Sequence, residues 1–181
     1  MGKVKEPQPA RLFMSLIMRE VEVLEKGLEV LRANYGEIDF VSDRFPFNFT
    51  DYYAEEMGRG LFRHLISFQT HVPMTALPDI KRATNRLEET LSTGDGARRI
   101  NIDPGYITLQ HVVLATTKAY GHRPYLRDGI YADVTLIYRN KSFQPLEWTY
   151  PDYRQEGMIL LFNHLRTKIA ETLKRGGHHP C

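Results

Sequence analysis

Arg11-Leu12-Phe13-Met14-Ser15-Leu16-Ile17-Met18 is the stretch that decides the fold. It is a nearly continuous apolar run, broken only by Ser15 after its first residue. Seven or eight residues is a strand's length, and far too short to span a bilayer. Apolar residues at both odd and even positions mean burial on both faces, which predicts a strand near the middle of a sheet.

Outward from that strand, Val21, Leu24, Leu28 and Leu31 recur at helical spacing, and Gly36 is the stop signal. Residues 37–49 alternate and read as a strand with Phe45, Phe47 and Phe49 on one face and an edge or bend at Pro46. Residues 51–58 read as a short acidic helical turn or loop, and residues 61–72 as a strand. Residues 73–92 follow as a helix with Ile80, Thr84, Leu87 and Leu91 in one stripe, closed by the loop Ser92-Thr93-Gly94-Asp95-Gly96. Residues 98–106 alternate again, with Ile100 and Ile102 inward; Pro104-Gly105 is expected to end that strand. Residues 109–120 are apolar around most of a helical circumference and predict a well-covered helix. Asp128-Gly129 predicts a tight hairpin between residues 123–127 and 130–139, and Asn140-Lys141 a second reversal into residues 142–148. Met158, Leu161, Leu165, Ile169 and Leu173 make an amphipathic last helix. The order β-α-β-β-α-β, then α-β-β-β-α, predicts an α+β fold. It is a ferredoxin-like (split βαβ) sheet with a C-terminal helix–hairpin–helix extension. Residues 1–181 form one domain, with 1–9 and 176–181 as flexible ends.

The composition agrees with one globular domain. The chain has 181 residues, is 42% hydrophobic and 25% charged, and carries a net charge of +2. Those values exclude a disordered chain, a collagen and a membrane bundle, and the near-neutral balance argues against nucleic acid as a partner. The single cysteine, Cys181, permits no internal disulfide, and the N-terminus lacks the apolar core of a signal peptide. The expected compartment is the cytoplasm, and Asn48-Phe49-Thr50 and Asn140-Lys141-Ser142 are chance glycosylation matches.

Several motifs taken together carry a resemblance: Phe45-Pro46-Phe47, Asp51-Tyr52-Tyr53, Asn101-Ile102-Asp103-Pro104-Gly105-Tyr106, Ala115-Thr116-Thr117-Lys118, Asp128-Gly129-Ile130-Tyr131, and Trp148-Thr149-Tyr150-Pro151-Asp152-Tyr153. With Lys3-Val4-Lys5-Glu6-Pro7, they make the chain similar to a family of bacterial single-domain proteins known as a domain of unknown function. The resemblance runs over almost the whole chain and implies a single domain of this length. Some of the proteins it resembles are labelled GTP-binding. The residues do not support that label: the nearest approach to a phosphate loop, Thr93-Gly94-Asp95-Gly96-Ala97-Arg98, lacks the spacing and the Lys-Ser/Thr. There is no Gly-x-Gly-x-x-Gly after a strand, no Gly-x-Ser-x-Gly, no Cys-x-x-Cys and no His-Glu-x-x-His; no metal or cofactor is named. His64, His71, His111 and His122 lack the spacing of a two-histidine phosphodiesterase. His178, His179 and Cys181 read as a frayed tail.

Four polar constellations remain. Arg99, Asn101 and Asp103 share a strand face leading to Tyr106 and Thr108, either as a ligand floor or as an ordinary solvated face. Lys118, His122 and Arg123, with Tyr120 and Tyr125 between them, either favour the dipole of the helix over 109–120 or capture an anion such as phosphate. Asp51, Tyr52, Tyr53, Glu55 and Glu56 read as a capped acidic turn or as Mg²⁺ or substrate-orienting carboxylates. Residues 148–154 read as a structural helix start with Asp152 as cap, or as an aromatic pocket lining. Tyr131, Asp133 and Thr135 share one face of the 130–139 strand.

The expectation drawn from these is a site for a small anionic, phosphate-bearing ligand. Arg99, Asn101, Asp103 and Asp133 form its floor, Lys118, His122 and Arg123 supply charge, and Tyr106 and Tyr131 form walls. If the site is catalytic, Asp103 or His122 is the general base. The alternative is a non-catalytic interaction module or homodimer that docks through Tyr52, Tyr53, Trp148 and Tyr150.

Overall fold

The computed structural model describes residues 2–49, 53–94 and 96–176. Asp51, Tyr52, His178, His179 and Cys181, singled out above, lie outside the described residues, as does the side chain of Glu55.

The strands are β1 (Ala10–Met18), β2 (Ile38–Val41), β3 (Phe45–Pro46), β4 (Phe62–Val72), β5 (Ile100–Ile107), β6 (His111–Thr116), β7 (Tyr125–Arg127), β8 (Ile130–Arg139) and β9 (Ser142–Pro145). The helices are α1 (Val21–Tyr35), α2 (Ala54–Met57), α3 (Leu77–Thr90) and α4 (Glu156–Gly176). The arrangement is mixed α/β. Its nine-stranded open sheet has the order β2-β4-β1-β5-β6-β8-β7, with β3 on β4 and β9 on β8. The pairings are antiparallel.

β1 lies between β4 and β5 and is buried along its whole length. Its even residues Leu12, Met14, Leu16 and Met18 join Ile100 and Ile102 beneath α1 and α3. Its odd residue Phe13 joins Leu65, Val112 and Leu136 beneath Met158, Phe162 and Leu165 of α4. Each such apolar side chain contributes about 1.5–3 kcal/mol on burial. That offsets the roughly 1–2 kcal/mol needed to order each residue, so the apolar run is what holds the two layers on one sheet.

The structure corrects three expectations. Residues 109–120 are not a helix but β6 and the loop after it. Val112 and Leu114 face the α4 core, while Val113 and Ala115 face Leu77 of α3. A short strand buried on both faces looks apolar all round, as a covered helix does, and the adjacent β-branched Val112 and Val113 favour the strand. The C-terminal half is therefore strand, hairpin, strand and helix. Second, β5 runs through Pro104 and Gly105. β6 pairs with β5 only from Gly105 onward, so on that side Pro104 has no neighbour whose hydrogen bond it would lose. Gly105 is needed for close approach: a Cβ there would lie 2.5 Å from the Val113 carbonyl oxygen and 2.6 Å from Phe13 Cζ. Third, residues 37–49 divide into β2 and β3, both on β4.

The hairpins form as the turn residues dictate. Asp128 and Gly129 have φ of 54° and 76°, and Asn140 and Lys141 have φ of 49° and 66°. Among the described residues no helix is long and apolar enough to cross a membrane.

Candidate functional site

The site arises where the sheet divides. β5 and β6 pair only through residues 105–107 and 112–114. Beyond that they part, so residues 100–104 of β5 lose a strand neighbour on one side. Side chains of α3 take the missing strand's place: Glu88 Oε1 accepts the Ile102 N–H at 2.7 Å, and the Lys81 ammonium donates to the Ile102 carbonyl at 3.1 Å. A cavity of about 540 Å³ occupies the gap, with β5 on one wall and the end of β6 on the other.

The β5 wall is a connected network. Asn101 Nδ2 donates to Asp103 Oδ2 at 2.7 Å, and Lys81 donates to Asp103 Oδ1 at 3.1 Å. Arg98 donates to Asn101 Oδ1 at 3.2 Å and to Glu88 Oε2 at 3.3 Å, and grips both oxygens of Glu56. Two carboxyls of this wall diverge in acidity. Burial works to raise Asp103, but the Lys81 ammonium and the Asn101 amide outweigh it and hold the carboxyl below its ordinary value. Glu88 is pushed up: its burial outweighs the Lys81 charge and the Ile102 N–H.

Below them lies a buried ion pair between Arg63 of β4 and Asp152, which sits in a 3-10 turn, Pro151–Arg154. The guanidinium is 4.8 Å from the Phe47 ring centroid and 4.9 Å from that of Tyr153. Burial, reinforced by Asp152 and Asp103, raises the Tyr153 phenol against the opposing Arg63 charge and the neighbouring Ser15 hydroxyl. Neither the Tyr153 hydroxyl nor Ser15 Oγ meets hydrogen-bond geometry with a protein group.

The β6 wall consists of Thr116, Thr117 and Lys118, with Arg123 and Asp133 behind. Arg123 organises this loop. It donates to Asp133 Oδ2 at 2.8 Å, to the Lys118 carbonyl at 3.1 Å and to the Tyr150 hydroxyl at 2.8 Å. The Lys118 N–H donates to Thr116 Oγ1 at 3.1 Å. Tyr120 and Tyr150, both exposed, line the mouth.

Of the residues singled out from sequence, Asn101, Asp103, Lys118, Arg123 and Asp133 converge on this cavity from three separate segments. Of the nine residues assigned to the expected site, the other four do not line it. Arg99 precedes β5 and pairs with Glu20. Tyr106 is an even residue of β5, opposite Leu12, so it shares the face of Ile100 and Ile102 rather than that of Asn101 and Asp103. Tyr131 is paired with Thr116 and its ring packs on Tyr125, beyond the cavity. His122 lies behind Asp133, with Nε2 3.7 Å from Oδ2 and its ring stacked against Tyr120 and Trp148. Without a helix over 109–120, there is no helix dipole for Lys118, His122 and Arg123 to favour. Asp152 caps no helix; it neutralises Arg63. Glu56 is held by Arg98.

Lys81, Glu88, Arg63 and Arg98 were not anticipated. The signal for two of them lies in α3, where Leu77, Ile80, Lys81, Thr84 and Glu88 are all buried. A lysine and a glutamate seven residues apart on the buried stripe mark polar work inside the protein.

Among the described residues, no group of three or more His, Cys, Asp or Glu is placed to hold a metal ion. No curated protein and no solved structure resembles the chain closely enough to count as a relative. The family described as a domain of unknown function (DUF4416) matches residues 8–169, and the chain belongs to that family.

Proposed function

We propose that the chain binds a small anionic, phosphate-bearing molecule in the cavity between β5 and β6. The observation that carries this reading is the convergence of Asn101, Asp103, Lys118, Arg123 and Asp133 on one cavity. Its volume falls in the range of small-molecule sites. The β6 wall brings two cations, Lys118 and Arg123, against one carboxylate, Asp133, and offers the turn at residues 116–118 beside them. A phosphate there meets net positive charge at the rim, where it keeps part of its hydration. If the bound molecule is turned over, Asp103 is the base, because its carboxylate lines the cavity and is 30% exposed, whereas Glu88 is buried and occupied by the Ile102 N–H and Arg98. His122 has no contact with the cavity.

The arrangement of the N-terminal half supports a ferredoxin-like split βαβ unit: the order β2-β4-β1-β5 with α1 and α3 as crossovers. A docking surface built on Trp148 and Tyr150 is the weaker reading. The Trp148 ring already stacks on His122 and its Nε1 donates to the Val134 carbonyl, which accounts for it structurally.

The test is calorimetric titration with inorganic phosphate and pyrophosphate. Lys118→Ala should weaken binding about tenfold or more, equivalent to about 1.4 kcal/mol. Arg99→Ala, outside the cavity, should leave it unchanged. Absence of binding by the wild type, or equal affinity in Lys118→Ala, overturns the reading.

A further inference from the structure

Opposite charges prevail on the two sides of the cavity, and that difference specifies the ligand further. The β6 side carries the cations Lys118 and Arg123 against the carboxylate of Asp133. The β5 side carries three cations, and each is committed: Arg63 to Asp152, Lys81 to Asp103, and Arg98 to Glu56 and Glu88. Glu89, exposed on α3, also lines the cavity and takes part in none of these pairs. Burial favours the neutral form of Glu88. Even with that carboxyl counted as neutral, four carboxylates stand against three cations on this side. A bound anion is therefore drawn to the β6 side and a bound cation to the β5 side.

The β5 side also has the groups that hold a cation. An ionised carboxylate has about four acceptor sites. Lys81 and Asn101 each donate to one oxygen of Asp103, so its carboxylate keeps capacity toward the cavity it lines. Phe47, Phe49 and Tyr53 line the same side, with the Phe47 ring centroid 6.2 Å from that of Phe49 and 5.9 Å from that of Tyr53. Aromatic faces attract cations, and two of these rings already have one, Arg63 at 4.8 Å from the Phe47 centroid and Arg98 at 5.8 Å from that of Tyr53. Phe49 is 39% exposed, so part of its surface stays open to a ligand. A hydroxyl group fills the free lone pairs of Asp103 but brings no charge, and the carboxylate excess stays uncompensated. An ammonium group brings three donors and the missing positive charge together.

Resting on the reading of the cavity as a phosphate site, we propose that its ligand is a zwitterion, a phosphate ester carrying a primary ammonium group, with the phosphate at Lys118 and the ammonium on the side of Asp103 and Glu89. The opposite signs of the two sides fix the orientation in which it enters.

The experiment is calorimetric titration of the full chain at neutral pH with phosphoethanolamine, aminopropyl phosphate, their alcohol counterparts hydroxyethyl phosphate and hydroxypropyl phosphate, and inorganic phosphate. Each alcohol matches its amine in length and donates a hydrogen bond but carries no positive charge. At least one amine should bind about tenfold or more tighter than its alcohol. Glu89→Gln, a change at an exposed position, should reduce that ratio about threefold or more. Asp103→Asn, checked for folding by circular dichroism, should reduce it about fivefold or more. Lys118→Ala should weaken amines and alcohols alike. Flotation with vesicles containing phosphatidylethanolamine separates the two sources of this chemistry: co-flotation assigns a lipid headgroup, and its absence, with the soluble amine still bound, assigns a free ester. If neither amine outbinds its alcohol while inorganic phosphate binds, or if both carboxylate variants keep the full ratio, the zwitterion assignment falls and the phosphate site stands. If nothing binds the wild type, both fall.

Discussion

Replacing Asp152 with alanine leaves a guanidinium without its counter-charge inside the protein. The Arg63 and Asp152 side chains are 5% and 9% exposed. Removing one member of such a pair costs about 3–5 kcal/mol, because the survivor stays desolvated. Here Arg63 keeps its contacts with the Phe47 and Tyr153 rings, and a cation over an aromatic face recovers about 0.5–2 kcal/mol. The expected loss for Asp152→Ala is therefore near the lower end, about 3 kcal/mol. For a chain of this size that lowers Tm by roughly 6–12 °C. Urea and thermal unfolding followed by circular dichroism read it directly. The double variant R63M/D152L removes both charges and fills similar volume, and should return to within about 1 kcal/mol of the wild type. A cost below about 1 kcal/mol for Asp152→Ala, or a double variant no more stable than the single, refutes the view that unpaired charge rather than lost packing sets the penalty.

Gly105→Ala should destabilise by more than about 2 kcal/mol in urea unfolding, because the new methyl meets the Val113 carbonyl oxygen, a backbone atom that cannot rotate away. Burial lowers His111, and burial together with the Arg11 charge lowers His71. Both are more readily protonated when unfolded, so stability should fall as pH drops below about 6.5, by at most about 1.4 kcal/mol per pH unit for each histidine. His111→Gln should flatten that slope in a pH series of melting curves, and an unchanged slope would exclude His111 as a source.

The sequence was most legible where one physical signal had one meaning. The run at 11–18 is too short for anything but a strand, and Asp128-Gly129 and Asn140-Lys141 favour the left-handed backbone that tight turns require. It was least legible at 109–120, where burial on both faces of a strand and burial all round a helix leave the same apolar pattern. The site was readable in pieces. Alternation along β5 placed Asn101 and Asp103 on one face, and alternation along β8 gave Asp133. Parity also excludes Tyr106, and the expected wall there ignored it. What brought the pieces together was strand order, which local pattern does not encode. Arg63, Lys81, Glu88 and Arg98 were hidden for a related reason: charged residues inside a protein are recognised by their partners, and these partners lie 10 to 89 residues away.

The parting of β5 from β6 has a consequence for solubility. A sheet that divides exposes inner edges as well as outer ones, and an unpaired edge is a template on which another chain can add a strand. Here the vulnerable segment, residues 100–104, is stoppered by Glu88 and Lys81, whose side chains occupy the Ile102 N–H and carbonyl. A carboxylate and an ammonium end the hydrogen-bond ladder without extending it, since neither offers the next bond in the series. The helix that roofs one core thus also guards the sheet against intermolecular growth, and it does so while leaving the space beside it open.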